Sequence, residues 1–302
     1  VILNHLSARG YETVGLDIDD TVVTRRAEDR FYHCDITDKA RISEIFSLER
    51  PDAVVHFAAT FHRIRDPEKE YDIDIGGSRN LFEAARHTPS VRKFIYSSSA
   101  AIYGADRRDE MWLDETFPVN PGRYRYGINK KLTEEILLSG NGNTGLQVVS
   151  LRICTVVGPL YSRPRSVVSI LMRLPVLPAS FRNTRIQFMH EEDFAEITEK
   201  VLEENIEGLY NMAPDSCTVV GDVVPAGRFR RFPCRILIPV MWVLWHLRLV
   251  NLQPAGFGYC LYPVVMDPTK LLRRFDYHFR YTSSEAFIAT QKDNMIPASA
   301  RF

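Results

Sequence analysis

Through the first half of the chain, short apolar runs alternate with longer stretches whose apolar residues recur at helical spacing. Residues 2–9 predict a helix stopped by Gly10. The run Thr13-Val-Gly-Leu16 predicts a buried strand ending at Asp17, and Phe31-Tyr-His-Cys34 a second ending at Asp35. A helix is expected over 38–48, a strand over Ala53-Val-Val-His-Phe57, a helix through 70–87 and a strand over Lys93-Phe-Ile-Tyr96. Tyr126 opens a helix reaching about 139, and Leu146-Gln-Val-Val-Ser-Leu-Arg152 reads as a further strand. Strands alternating with helices imply a parallel sheet covered on both faces. Ligands of such sheets sit beyond the carboxyl ends of the strands, where Asp17, Asp35, Ala58 and Ser99 fall.

After residue 158 the pattern becomes irregular and richer in proline and arginine. Arg185-Ile-Gln-Phe-Met-His190 predicts a strand, 192–204 a helix, and the stretch from Tyr262 a strand followed by a helix start. The expected organisation is a main domain over 1–158 plus about 185–212. A smaller interleaved lobe, 159–184 plus 213–291, closes over the substrate, and 292–302 form a loose tail. The greasiest segment, 236–250, is shorter than the ~20 residues of a spanning helix and is interrupted by Pro239, His246 and Arg248. Arg228, Arg230 and Arg231 precede it, which makes it the one candidate for membrane contact. The plainer reading, a buried helix or a lid over the substrate pocket, is preferred.

Composition narrows the class. The chain has 302 residues, 45% hydrophobic and 25% charged, as in an ordinary globular protein. Its 38 basic and 38 acidic residues cancel, so no global basic field points to nucleic acid. The five cysteines show no paired spacing, which argues against a zinc site or a disulfide framework and suits a reducing cytoplasm. Neither a signal-peptide pattern nor an internal repeat is read, and no metal is expected.

The candidate chemistry lies in Ser97-Ser98-Ser99 and, 27 residues beyond Ser99, in Tyr126-Gly-Ile-Asn-Lys130. Tyr and Lys four apart on a helix share a face, one turn from each other. A free phenol titrates at about pH 10, too high for a base at neutrality, and a nearby ammonium lowers that value. A serine hydroxyl then holds the substrate oxygen that exchanges the proton.

Ser99, Tyr126 and Lys130 match the serine and Tyr-x-x-x-Lys signature of the short-chain dehydrogenases/reductases. Ser-Ser-Ser-Ala-Ala-Ile-Tyr-Gly (97–104) and Leu-Arg-Ile-Cys-Thr-Val-Val-Gly-Pro (151–159) resemble the extended branch, the NAD-dependent epimerase/dehydratases. The resemblance implies a doubly wound, Rossmann-like α/β sheet with a smaller interleaved substrate lobe. It implies NAD as cofactor, a small-molecule substrate, and a homodimer as one partner it allows. By the same resemblance Asp17 accepts from the adenosine ribose, and its charge disfavours a 2′-phosphate. Asp35 and Ile36 match the pair at the adenine; Phe57, Ala58 and Ala59 match the turn near the pyrophosphate. Asp74 and Cys154 fall on the cofactor side as well. Lys130 serves the nicotinamide ribose and tunes Tyr126. Ser99, Tyr126, Thr155 and Arg185 are the positions for substrate.

The family opens with a strand and a glycine-rich turn that cradles the pyrophosphate at a helix N-terminus. Here Val1 already lies inside the helix that follows that turn, so the expectation is an incomplete sequence or a truncated, inactive relative. The missing strand would leave two unpaired inner edges. In the helix before the serine strand, Asp74 stands where the family usually has Asn, and Thr155 stands where nucleotide-sugar members often have Asn. His190 and Asp193 fit a Phe-x-His-x-x-Asp element and read as a half-buried histidine and a helix-capping carboxylate.

The function implied is Tyr/Lys/Ser-assisted hydride transfer at a secondary alcohol of a sugar or nucleotide-sugar, as dehydrogenase or epimerase. Ala100-Ala101 after Ser99 argues against a dehydratase. The alternatives are a 3-hydroxysteroid-like dehydrogenase of a hydrophobic alcohol and a non-catalytic truncated relative. A further rival is a haloacid-dehalogenase-like phosphatase, in which Asp17 and Asp19 of Asp17-Ile-Asp19-Asp20-Thr21 act beside Mg²⁺.

Overall fold

In the computed structural model, which describes residues 1–19, 30–60, 64–105, 111–142, 145–159, 177–230, 234–247 and 254–295, the apolar runs of the first half become parallel strands. The chain divides into two compact units. The first comprises Val1–Ser98, Ile128–Leu151 and Ala195–Leu209, and the second Ser99–Gly127, Arg152–Phe194 and Tyr210–Phe302. The division expected from sequence kept 99–127 with the first domain, whereas its contacts group it with the second.

The first unit begins with α1 (Ile2–Ala8), β1 (Val14–Asp17) and β2 (Arg30–His33), followed by α2 (Lys39–Glu49) and β3 (Ala53–His56). Asp38 starts α2 by accepting the Arg41 amide proton at 2.9 Å, and Arg50 ends it in the left-handed region at φ 47°. Then come α3 (Pro67–Tyr71), α4 (Ser78–His87), β4 (Lys93–Ser99), α5 (Arg125–Ser139) and β5 (Gln147–Ile153), with α6 (Glu191–Glu203) joining the unit from Ala195 and β10 (Gly208–Met212) leaving it after Leu209. A four-stranded sheet runs β10–β5–β4–β3, and β1 pairs with β2 in parallel. Among the described residues β1 and β3 each have one partner, β2 and β4, which leaves an open edge on both.

The helix expected over 70–87 is not continuous. Between α3 and α4 lies a π-helical turn, Asp72–Gly77, whose widened ring brings Asp74 and Ile75 into the interior. Gly77 permits this, because a Cβ there would sit 2.4 Å from the Ile36 side chain. Ile36 itself is buried in a core with Ile42, Phe46, Phe82, Phe94 and Leu137. Lys93 opens β4 with a buried ammonium that donates to the carbonyls of Val201 (2.7 Å), Leu202 (3.1 Å) and Glu204, the unsatisfied acceptors at the end of α6.

The second unit contains β6 (Thr155–Val157), β7 (Leu177–Pro178), β8 (Arg185–Ile186), β9 (Phe188–His190), β11 (Thr218–Val219), α7 (Val220–Val223) and β12 (Phe229–Arg230). Its later helices are α8 (Cys234–His246), α9 (Gly258–Leu261), α10 (Thr269–Phe275) and α11 (Ser283–Met295). The strand expected over 185–190 is broken at Gln187: β8 pairs antiparallel with β11, and β9 parallel with β6. Gln187 is buried and turns its amide to the carbonyls of Pro214 (2.8 Å) and Met266 (2.9 Å), so a side chain replaces the ladder there. Helix α11 extends to Met295, into the stretch expected as a tail. Of the two plainer readings of 236–250, the buried helix is not what residues 239–247 show, and residues 248–250 lie outside the described residues. Helix α8 forms, but Val240, Trp242 and Val243 are exposed, as is Leu247 just beyond it.

Candidate active site

In the first unit, buried polar groups gather around Asp74 and Lys130. The buried Asp74 carboxylate accepts the Thr60 amide proton at 2.8 Å, the Thr60 hydroxyl at 3.1 Å and the Asn129 side-chain amide at 3.0 Å. Its backbone carbonyl accepts the hydroxyls of Ser78 (2.5 Å) and Thr133 (3.3 Å). The π turn therefore ties the loop after β3 to α5. Ser78 gives its single proton to that carbonyl, so His56 Nε2, 2.8 Å from Ser78 Oγ, is the donor between them. Nε2 therefore carries a proton, and a pKa pushed down to about 3 by burial and, secondarily, by the Lys130 charge leaves the ring neutral.

Lys130 is buried on α5. Its ammonium donates to the Ser97 carbonyl at 2.5 Å and to Ser97 Oγ at 3.3 Å, and lies 4.8 Å from the centre of the Tyr96 ring. Burial pulls its pKa down to about 8, against an opposing pull from Asp74. Tyr126 stands one turn before Lys130 on the same helix.

Of the positions assigned to cofactor by sequence, Asp17 ends β1, exposed, with Oδ1 accepting the Asp19 amide proton at 3.0 Å. Asp35 is exposed after β2, and its Oδ1 holds the amide and hydroxyl of Thr37, both at 2.9 Å. Phe57, Ala58 and Ala59 form the loop that leads from β3 to Thr60. For the phosphatase alternative, Asp20 and Thr21 lie outside the described residues. Among the described residues no cluster of three or more His, Cys, Asp or Glu is arranged for a metal ion.

The second unit holds Ser99 and Tyr126. Ser99 Oγ accepts the Ala101 amide proton at 3.2 Å and so caps the short 3₁₀ turn Ala100–Tyr103. Gly127, next to Tyr126, lets α5 start against that turn: a Cβ there would lie 2.7 Å from the Ala101 carbonyl oxygen and 2.8 Å from Pro121 Cβ. The Ala101 carbonyl also accepts the Tyr259 hydroxyl at 2.5 Å. Tyr124 packs between Tyr126 and Tyr259, with ring centroids 5.8 and 5.0 Å away. Cys154 lies between β5 and β6, its amide bound to the Met212 carbonyl at 3.1 Å and its thiol held protonated by burial. Thr155 opens β6 half-buried, and Arg185 is exposed on β8.

His190 and Asp193 differ from expectation. His190 is fully rather than half buried, stacked on Tyr281 at 4.2 Å. Asp193 does not cap its own helix. It accepts the Tyr277 hydroxyl (2.7 Å) and the Arg280 amide proton (3.0 Å), fastening the segment between α10 and α11. Sequence reasoning also missed Thr60, Asn129 and Tyr259, and the role of Ser97 as acceptor for Lys130. Asn129, beside Lys130, was the one with a visible signal.

Residues 1–213 match the NAD dependent epimerase/dehydratase family. A UDP-glucose 4-epimerase of Mycoplasma genitalium is 31% identical over 172 residues, 55% of this chain and 49% of that protein. The match thus spans about half the relative's length. An uncharacterised protein of Mycobacterium bovis is 25% identical over 281 residues, 88% of this chain and 72% of its own. Among solved structures, the UDP-glucose 4-epimerase of Thermus thermophilus in complex with NAD superposes with a TM-score of 0.79 at 24% identity, covering 98% of this chain and 95% of that one. That likeness establishes a Rossmann-like α/β fold. With more than two thirds of its length matched, the chain belongs to the NAD-dependent epimerase/dehydratase family.

Proposed function

We propose that the protein is an NAD-dependent epimerase acting on a secondary alcohol of a nucleotide-sugar, with Tyr126 as acid/base, Ser99 as the group holding the reacting oxygen and Lys130 as the cation that tunes the phenol. The observation that carries this reading is the buried Lys130, one helical turn from Tyr126, with its ammonium fixed on the Ser97 carbonyl. The names of the relatives support the substrate class, since several are UDP-glucose 4-epimerases.

The donor set fits the ribose ends of a dinucleotide. Asp17 presents an exposed carboxylate at a strand end, with one oxygen already oriented by the Asp19 amide, which suits a ribose diol and repels a 2′-phosphate. Asp35 and Ile36, and the loop Phe57-Ala58-Ala59, are assigned to the adenosine side; Asp74 orders that loop through Thr60. Cys154, a protonated thiol, contributes an uncharged surface. Lys130 supplies the donor for the second ribose. Bound NAD would accept, and return, the hydride of the carbon bearing the hydroxyl.

The chain's own residues handle the proton and the oxygen. Tyr126 takes the hydroxyl proton and gives it back on return. Ser99 accepts from the Ala101 amide, which orients its own O–H for donation to the substrate oxygen and so stabilises charge developing there. Thr155 and Arg185 are assigned to the sugar-nucleotide. Because Ala100 and Ala101 follow Ser99, no acid/base pair for elimination stands beside it, and a dehydratase is not proposed.

The test is interconversion of UDP-glucose and UDP-galactose by the purified protein, with NAD binding followed by calorimetry. Tyr126→Phe is expected to retain NAD affinity and to lose on the order of 10²–10⁴ in turnover, the usual worth of a positioned acid/base. Undiminished turnover in that variant sinks the mechanism, and failure to bind NAD sinks the cofactor assignment.

A further inference from the structure

Helix α8 combines two properties that conflict in water. Its sequence from Ile236 to Trp245 is apolar throughout, and such helices are ordinarily buried. Yet from Pro239 to Leu247 no side chain is buried: Val240 is 44%, Trp242 39%, Val243 57% and Leu247 63% exposed. Trp242 also meets Trp245 and His246 edge-on or tilted at 5.9 and 5.6 Å, forming an aromatic group on the helix surface.

Length and charge say what such a surface fits. Thirteen helical residues reach about 20 Å, short of the ~30 Å hydrocarbon core of a bilayer. Among the described residues no helix is long and apolar enough to cross a membrane. The helix is long enough to lie in the plane of the interface. Residues 223–266 carry five arginines and neither aspartate nor glutamate, in a chain whose net charge is zero. Of these arginines, Arg228 and Arg230 stand on the approach to α8, with Arg230 exposed. Tryptophan prefers the headgroup level, and arginine stems reach along apolar surface to anionic headgroups. A protein partner or a second copy would be served by the apolar face alone; the one-signed charge beside it favours an anionic lipid surface.

We propose that α8 and the basic segment before it form an interfacial anchor for anionic membranes. The experiment is flotation of the purified protein with vesicles of pure phosphatidylcholine and of phosphatidylcholine with 30% phosphatidylserine. Binding is expected only on the anionic vesicles and should weaken as salt is raised. Brominated lipids should quench tryptophan fluorescence, which requires no variant. Trp242→Ser with Val243→Ser, both at exposed positions, should abolish flotation without changing the thermal unfolding curve. Arg228→Gln with Arg230→Gln should weaken partition roughly 25-fold, about fivefold for each charge near the surface. Absence of flotation, or flotation unaffected by the apolar double variant, overturns the proposal. So does vesicle-independent self-association that the same variant removes, since that assigns the face to a second copy.

Discussion

Asp74→Asn isolates the effect of one charge on Lys130. The asparagine keeps the size of the side chain and an oxygen for the Thr60 amide, now bonded at 2.8 Å, and Asn129 can turn its amide to match. What disappears is the negative charge that favours the Lys130 ammonium. Burial lowers the pKa of that ammonium from 10.5 to about 8 even with Asp74 present. The net cost of the charged form in the folded state is therefore about 3 kcal/mol, at 1.36 kcal/mol per pH unit. A unit charge within ~10 Å at an effective dielectric near 20 contributes about 1–2 kcal/mol. Without it the Lys130 pKa should fall by about one unit or more, to near 7.

The sign of the stability effect follows. Between pH 8 and 10.5 the unfolded chain holds the Lys130 proton and the folded chain does not. Stability therefore rises with pH across that window, and this contribution is lost as pH falls through about 8. In Asp74→Asn the loss continues toward pH 7, so the variant should be about 1–2 kcal/mol less stable than the parent at pH 6.5, with the gap closing by pH 10. Urea unfolding across this range, repeated in a Lys130→Met background, reads the coupling directly. A gap of equal size at both ends of the range, or one that persists with its pH dependence in Lys130→Met, refutes the reasoning.

Two more perturbations report on separate parts of the fold. His56 is neutral in the folded state down to about pH 3, so stability should be lost as pH falls below 6.5. His56→Phe should flatten the acid limb of a urea-midpoint profile by about 3 kcal/mol between pH 6.5 and 4, and an unchanged limb would mean the ring is not the proton acceptor. Gly127→Ala sets a methyl group 2.7 Å from the Ala101 carbonyl oxygen, a backbone atom that cannot move aside cheaply. It should destabilise by about 1–3 kcal/mol and impair turnover together, and a loss under ~0.5 kcal/mol in chemical denaturation would show that α5 can shift away.

The strands and helices of the first unit were legible because their periods are strong, although the start of α3 at Pro67 was not among the ends expected. What stayed hidden depends on contacts distant in sequence. Nothing local in 70–87 marks the π turn, whose driving contact is Gly77 on Ile36, 41 positions away. Gln187 splits a periodic strand because its amide finds carbonyls at Pro214 and Met266. For α8 the apolar composition was legible but its exposure was not, since hydropathy reports the preference of a side chain and not whether the fold satisfies it. The Tyr-x-x-x-Lys spacing of Tyr126 and Lys130, and Ser99 at the end of a strand, were visible in the sequence. The bonds of Lys130 to Ser97, of Asn129 to Asp74 and of Tyr259 to Ala101 were not, because such hydrogen bonds impose no spacing on the sequence.

The surroundings of Asp74, where the resemblance places an asparagine, suit a carboxylate. An asparagine there offers one acceptor and one donor, whereas an aspartate offers acceptors only. Every group found around this carboxylate is a donor: the Thr60 amide, the Thr60 hydroxyl and the Asn129 side chain. The donor that Asp74 lacks is thus supplied from the far side by Asn129, on the helix that carries Lys130. Asp74 connects the loop after β3, the π turn and α5, and its charge adds an electrostatic effect. A buried negative charge enters the surroundings of a buried ammonium and holds its pKa higher than burial alone would allow. The substitution therefore acts on the protonation of Lys130 rather than on the architecture that positions it.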